Sequence, residues 1–321
     1  MKKFIKYWLY TLAKILHYNV QPHLLMYSLY FLNKTPMIKK FVNFFDPNDI
    51  RKVTSYNPTE RNIMLPNKKY NLLVNPRDHI GFQSFIKNEP FEMSMYNLVE
   101  QNKHLKGNII IDIGANIGTA SIPICAKYGY ELIAIEPSKD NLKLLKKNIS
   151  NNQIKAQLLM YALVDNSFKE NHIKMFINKG NTGANSLIEK WNPSKDRNIK
   201  NSFELVAAKT FDKIVREIGL NVDDVLCVKI DVEGMEEEVL LGAKKFLIDN
   251  KAPIIMEYRN DILNKYAGKN MKVVVKTLKE TGYKIFSLSN RGELGKFMES
   301  KFYENIIALK FEHPNFFNFK V

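Results

Sequence analysis

The stretch Ile109-Ile-Ile-Asp112-Ile-Gly114-Ala-Asn116-Ile-Gly118 decides how this chain folds. A run of strand-forming residues passes an acid and enters a glycine turn. A helix-compatible segment follows, Thr119 to Lys127. Eighteen residues past Gly118, a second apolar run, Glu131-Leu-Ile-Ala-Ile-Glu136, ends on another acid. An α/β sheet builds a nucleoside pocket in this way. The glycines let backbone approach a ligand. An acid at the end of the second strand can accept hydrogen bonds from a ribose diol.

A dinucleotide site requires G-x-G-x-x-G, because a pyrophosphate must lie against bare backbone at a helix N-terminus. The three positions here are Gly114, Asn116 and Thr119, so two of the glycines are missing. Asp112 stands at the mouth of the loop, where it would repel a pyrophosphate and attract a cation. The loop therefore suits a nucleoside with a positive or zwitterionic tail. S-adenosylmethionine, with a sulfonium, an ammonium and no phosphate, meets that description.

From Tyr70 onward, strand and helix patterns alternate. Strands are expected at Tyr70–Val74, Asn108–Ile113, Leu132–Glu136, Ala156–Ala162, Val225–Ile230 and Pro253–Glu257. Helices are expected over Glu89–Glu100, Thr119–Tyr128 and after Pro137, the last with Leu142, Leu145 and Ile149 on one face. This alternation predicts a parallel, doubly wound sheet. Tyr283–Ser289 and Asn305–Leu309 read as a terminal antiparallel hairpin. Residues 165–205 form a long polar segment with a glycine-rich centre, readable as a hairpin over the ligand edge of the sheet or as a simple excursion.

Asp231 and Glu233 follow the strand Val225–Ile230, where carboxylates reach the ligand crevice. Glu236, Glu237 and Glu238 open the next helix; the helix dipole favours acids there, so these three are expected to be solvated. Of the histidines, His79 and His104 flank the entry to the domain and are the ones able to approach the site.

The chain has 321 residues, 45% apolar, enough for one large α/β domain and an extension. Cys125 and Cys227 lie in apolar patterns and read as buried thiols in a reducing, cytoplasmic setting. No Cys/His cluster has zinc spacing. The net charge of +15 favours anionic partners. Seven lysines and no acid fall within residues 1–45, where Ile5, Trp8, Leu9, Leu12 and Leu16 share one helical face. That segment reads either as a basic amphipathic helix on an anionic membrane surface, at the inner membrane face, or as a helical cap packed on the domain or on a dimer partner. Its longest charge-free window, Ile15–Asn33, is too polar to span a bilayer. Pro36, Pro47 and Pro58 mark a boundary, giving an extension at 1–60 and a main domain at 61–321.

Taken together, the chain resembles the FkbM family of S-adenosylmethionine-dependent methyltransferases. The residues that carry the resemblance run from about Tyr70 to Leu309. They are Val74-Asn-Pro-Arg-Asp78, Asp112 to Gly118, Ile135-Glu-Pro137, Tyr161-Ala-Leu163, Asn185-Ser-Leu187, Thr210-Phe-Asp212, Lys229-Ile-Asp-Val-Glu-Gly234 and Ile255-Met-Glu257. Tyr161 and Phe211 depart from the usual Asn and Leu. The resemblance implies the class I methyltransferase fold, a Rossmann-like, seven-stranded, mostly parallel sheet of order 3-2-1-4-5-7-6. It also implies O-methylation of hydroxyls on sugars, glycans or related metabolites, often beside polysaccharide biosynthesis.

On this reading Gly114, Asn116 and Gly118 floor the methionine portion of the cofactor and Asp112 lies near its ammonium. Glu136 holds the ribose, and Tyr161, Ala162 and Leu163 lie along the adenine. Asp231 or Glu233 serves as base, and Lys229 pairs with one carboxylate and keeps it ionised. A divalent cation on Asp231, Glu233 and Glu257 is the other way to acidify a hydroxyl. Two further functions compete: an RNA methyltransferase, which the charge suggests but the missing Asn-Pro-Pro-aromatic box disfavours, and a non-catalytic binding protein that keeps the fold.

Overall fold

In a computed structural model the described residues are 63–64, 70–75, 78–87, 89–103, 105–178, 181–189, 202–267, 271–301 and 303–310. The extension 1–60, with its basic helical pattern, lies outside them, as do Pro76, Arg77, His104 and Trp191–Pro193. Among the described residues no helix is long and apolar enough to cross a membrane. The described residues fall into two compact units, 63–91 with 181–183, and 92–178 with 184–310.

In the smaller unit, β1 (Ile63–Met64) pairs antiparallel with β2 (Leu73–Val74), and α1 spans His79–Lys87. Asp78 caps α1. Its Oδ2 accepts from the amides of Ile80 and Gly81 at 3.0 and 3.3 Å. Its Oδ1 accepts from the Thr182 amide and hydroxyl at 2.6 and 3.0 Å.

The larger unit begins with α2 (Ser94–Gln101), shorter than the expected Glu89–Glu100 helix. The alternating elements follow: β3 (Ile109–Ile113), α3 (Ile122–Tyr128), β4 (Glu131–Ile135), α4 (Lys139–Asn151) and β5 (Ala156–Leu159). Next come β6 (Ala162–Leu163), β7 (His172–Phe176), β8 (Phe203–Lys209), α5 (Phe211–Ile218) and β9 (Val225–Ile230). The chain continues through α6 (Glu236–Leu241), α7 (Lys244–Asp249), β10 (Ile254–Tyr258), α8 (Asn260–Ala267) and α9 (Lys272–Glu280). It closes with β11 (Lys284–Leu288), β12 (Leu294–Lys296) and β13 (Tyr303–Leu309).

The main sheet has the order β12-β11-β13-β10-β9-β3-β4-β5. Strands β5, β4, β3, β9 and β10 run parallel, and β13 is antiparallel to both β10 and β11. Without β12 this is the class I methyltransferase order. The eighth strand differs from the seven expected: β12 lies in the loop of the predicted terminal hairpin and extends the edge beyond β11.

Parallel strands buried on both faces need continuous apolar sequence. β9 has it apart from Lys229, and every residue, Lys229 included, is buried. Helices α5 and α7 pack on this core through Phe211 and Phe246, whose rings meet edge to face at 4.8 Å. A Thr210 side-chain cap opens α5, and Gly219 closes it at φ 64°. The N-terminal half of the predicted strand Ala156–Ala162 forms β5. Its last residue leaves the sheet: Ala162 and Leu163 form β6, parallel to β8, in a second sheet of order β6-β8-β7. The antiparallel pair β7–β8 is the expected hairpin within 165–205.

The inner face of α4 also differs from expectation. Leu144, Leu145, Asn148 and Ile149 are buried, whereas Leu142 is only partly so. Two asparagines, Asn141 and Asn148, take inward positions because the loops at the carboxyl end of the sheet need hydrogen-bond donors from this helix.

Candidate active site

The site lies where β3, β4 and β9 end, in the larger unit. Asp112 is the fourth residue of β3, in register with Ala134 on β4 and Lys229 on β9. It is 1% exposed. Its Oδ2 accepts the Ser121 hydroxyl at 2.6 Å. Its Oδ1 has no hydrogen-bond partner among the described residues. Burial pushes the Asp112 carboxyl up, and Lys229 and the Ser121 hydroxyl only partly oppose this.

Past the strand the chain takes three left-handed residues, Gly114 (φ 80°), Asn116 (φ 51°) and Gly118 (φ 85°). Asparagine tolerates that region better than most residues. The amides of Gly114 and Ala115 both reach the Ile135 carbonyl, at 2.9 and 3.1 Å. Asn148 donates to the Ile117 carbonyl at 2.9 Å. Gly114 is required by close approach as well as by φ, since a Cβ there would fall 1.8 Å from the Asp231 carbonyl oxygen. The Asn116 Oδ1, like Asp112 Oδ1, is buried and unpartnered among the described residues.

Glu136 follows β4 and is 5% exposed. Its Oε2 accepts the Asn116 amide at 2.9 Å, and its Oε1 accepts the Ser138 amide at 2.9 Å and the Asn141 side chain at 3.3 Å. A carboxylate has about four lone-pair sites, so about one remains for a ligand hydroxyl. Burial lifts this carboxyl to about 7 against the three donors.

The third component is the turn after β9. Lys229, 4% exposed, bonds Asp231 Oδ2 at 2.8 Å and Glu92 Oε2 at 3.2 Å. Sequence reading expected one carboxylate partner for this lysine, and the structure supplies two. The Ser94 hydroxyl holds the other Glu92 oxygen at 2.8 Å. Burial would pull the Lys229 ammonium down, but Asp231, Glu92 and Asp112 overcome it and hold it well above its ordinary value.

Glu233 and Gly234 are both left-handed, at φ 52° and 96°. The Glu236 carboxylate fills this turn, its Oε1 accepting from the amides of Val232 and Gly234 at 3.3 Å each. Glu236 is therefore not solvated as its first-turn position suggested. It is 3% exposed, and burial lifts it to about 7. The backbone donors of the left-handed turn account for its inward position. Glu257, near the end of β10, is raised well above the ordinary range by burial and by Asp231, Glu233 and Glu236, with Arg259 3.8 Å away in opposition.

The structure brings Asp112, Gly114, Asn116, Gly118 and Glu136 together and sets Asp231 against the back of Gly114. Tyr161 follows the end of β5, its hydroxyl accepting from Lys209 at 3.1 Å, while Ala162 and Leu163 are buried in β6. His79 belongs to the smaller unit, where its ring meets Phe91 at 5.7 Å. Among the described residues no group of three or more His, Cys, Asp or Glu is placed to hold a metal ion. The divalent-cation arrangement on Asp231, Glu233 and Glu257 thus lacks its ligand geometry. Sequence reasoning missed Glu92, Ser121, Asn141 and Asn148. The asparagines had a signal: seven apart, they share a helical face.

Two buried acceptors without donors, at the mouth of a glycine loop, call for a ligand that donates. An ammonium offers three donors and positive charge. A pyrophosphate would add only acceptors and negative charge. Carboxylates on the neighbouring turn can take a proton from a second molecule placed beside that ligand.

Residues 112–285 match the family described as the methyltransferase FkbM domain, more than half of the chain. No curated protein matches it. Among solved structures, the methyltransferase FkbM of Methylobacillus flagellatus KT is similar at 15% identity and TM-score 0.39. That match covers 71% of this chain and 52% of the other, so the chain spans about half that relative's length. The O-methyltransferase of Bacillus cereus in complex with SAH shows 11% identity and TM-score 0.35, over 67% of this chain and 78% of that one. The O-methyltransferase TomG of Streptomyces achromogenes, involved in tomaymycin synthesis and solved with SAM, shows 10% identity and TM-score 0.37, over 68% and 78%. The family match starts at Asp112 itself and runs into β11, taking in the glycine loop, Glu136 and the carboxylate turn, and the chain belongs to the FkbM methyltransferase family.

Proposed function

We propose that this protein is an S-adenosylmethionine-dependent O-methyltransferase that acts on a hydroxyl of a sugar, glycan or related metabolite. The observation that supports it most is the pair of donorless acceptors, Asp112 Oδ1 and Asn116 Oδ1, beside Glu136. An unsatisfied buried polar group costs about 1–3 kcal/mol. A cationic amino-acid tail would remove that penalty at both atoms.

When bound, S-adenosylmethionine supplies an electrophilic methyl group on a positive sulfur. Asp112 and Asn116 accept from its ammonium, and Gly114 and Gly118 keep the loop free of side chains there. Glu136 takes one ribose hydroxyl on its remaining lone pair. Tyr161, Ala162 and Leu163 border the adenine. Asp231 is the base. Its Oδ2 is committed to Lys229, so the acceptor proton goes to Oδ1. Lys229 supplies the counter-charge at 2.8 Å and fixes the orientation of the carboxylate. Glu233 on the same turn is the second candidate. Orienting a bound hydroxyl toward the methyl supplies several kcal/mol of the barrier reduction.

The test is calorimetric titration with S-adenosylmethionine, followed by transfer of a labelled methyl group to an array of hexosides, deoxyhexosides and N-acetylhexosaminides. Binding and label transfer to a sugar hydroxyl are expected. Absence of cofactor binding removes the enzyme reading. Binding with no transfer to any sugar removes the acceptor class.

A further inference from the structure

The segment Asn185–Leu187 was singled out by sequence and has no part in the function proposed above. Its structure is specific. Ser186 is 3% exposed. Its backbone is pinned to β7, with its amide donating to the Phe176 carbonyl at 3.2 Å and its carbonyl accepting the Phe176 amide at 2.8 Å. The Asn185 side chain accepts the Asn178 amide at 2.8 Å. The Ser186 hydroxyl accepts from the Ile188 amide at 3.1 Å, which directs its own proton outward to the Glu233 carbonyl at 2.7 Å.

Glu233 is the residue that needs holding. It is neither glycine nor asparagine, yet its φ is 52°, a conformation that costs an ordinary side chain about 1–2 kcal/mol. The peptide is gripped from two sides: Glu236 takes the amides of Val232 and Gly234, and Ser186 takes the carbonyl between them. Asp231 begins this turn, its amide bonded to the Ile113 carbonyl at 2.9 Å.

We propose that Ser186 is a positioning residue: its hydroxyl locks the Asp231–Gly234 turn in its left-handed form and so sets the carboxylates that receive the acceptor. This rests on the methyl-transfer reading for its catalytic consequence, though not for the lock itself. It also fixes the β6-β8-β7 excursion to the acceptor side of the site through one side chain.

The experiment is hydrogen–deuterium exchange on the full chain, comparing wild type with Ser186→Ala. The amides of Val232 and Gly234 should exchange about tenfold faster in the variant, the effect of losing one hydrogen bond's worth of local protection. The glycine loop at 112–120 should be unchanged, and S-adenosylmethionine affinity should stay within about twofold. Adding Glu233→Asn to the alanine variant should restore protection, because asparagine accepts left-handed φ. On the best acceptor of the sugar array, Ser186→Ala should lower kcat about tenfold and leave KM for S-adenosylmethionine unchanged. Faster exchange confined to residues 185–189, or failure of Glu233→Asn to restore protection, overturns the inference. So does unchanged kcat. If Ser186→Ala does not fold, Ser186→Cys keeps the volume with a weaker donor and is expected to move the same amides in the same direction. If wild type methylates nothing, the methyl-transfer reading fails while the exchange data still decide the lock.

Discussion

Replacing Lys229 with methionine tests the electrostatic centre of the site. The methionine keeps most of the buried length and removes the charge. Three carboxylates then lose their common counter-ion: Asp231 at 2.8 Å, Glu92 at 3.2 Å and the in-register Asp112. Removing one partner of a buried pair typically costs about 3–5 kcal/mol, because the remaining charge is left uncompensated. For a unit of this size each kcal/mol lowers Tm by about 2–4 °C, so a drop of roughly 10 °C is expected near neutrality. The deficit must also depend on pH. Burial already pushes the Asp112 carboxyl up and Lys229 opposes this, so without Lys229 that carboxyl sheds its charge more readily by taking up a proton, and the gap between variant and wild type should be widest at pH 8 and narrow toward pH 5. Thermal unfolding followed by circular dichroism at both pH values gives the answer. A deficit below about 1 kcal/mol, or one that does not change between the two pH values, would refute the view that Lys229 neutralises this cluster.

Four more outcomes are expected. Glu136→Gln should weaken S-adenosylmethionine binding about 10–100-fold by calorimetry, since a charged hydrogen bond is lost. The same variant should flatten the pH dependence of stability. The Glu136 carboxyl rises from 4.5 to about 7 on folding, so its contribution, about 3 kcal/mol, is full below pH 4.5 and fades as pH rises to 7; wild type should therefore lose more Tm over that window than the variant. Gly114→Ala should abolish cofactor binding and destabilise by more than about 2 kcal/mol, whereas Gly129→Ala, at φ 72° with nothing within 4 Å of the added Cβ, should cost only about 1 kcal/mol; equal costs would deny the close approach to Asp231. Asp231→Ala should keep cofactor affinity within about threefold and reduce turnover by about 10²–10⁴-fold, and retained turnover would remove Asp231 from the mechanism.

The strands were legible because parallel strands buried on both faces must be apolar throughout, and Ile109–Ile113, Leu132–Ile135 and Val225–Ile230 are nearly so. The acids that end them were legible for the complementary reason: charge at the end of a buried strand has few uses other than a ligand. What failed to show were groups whose role is set by contacts distant in sequence. Glu92 lies 137 residues before Lys229, and nothing local marks it as a partner. Glu236 was misread because a first-turn acid is usually a solvated dipole partner, while here two backbone amides of a left-handed turn draw it inward. Strand β12 is three residues long and contains a glycine, too short for a period-two pattern to register. The path of Met160–Leu163 was hidden because an apolar run does not reveal which of two sheets it joins.

The contact between Gly114 and the Asp231 carbonyl has a thermodynamic consequence. The loop that holds one ligand and the turn that receives the other share a backbone surface with no room even for a methyl group between them. Neither can move toward the other without displacing it. The occupancy of one side must therefore alter the free energy of filling the other, and by the same factor in both directions. The size of that coupling is then a property of that glycine, readable as the change in affinity for each in the presence of its companion.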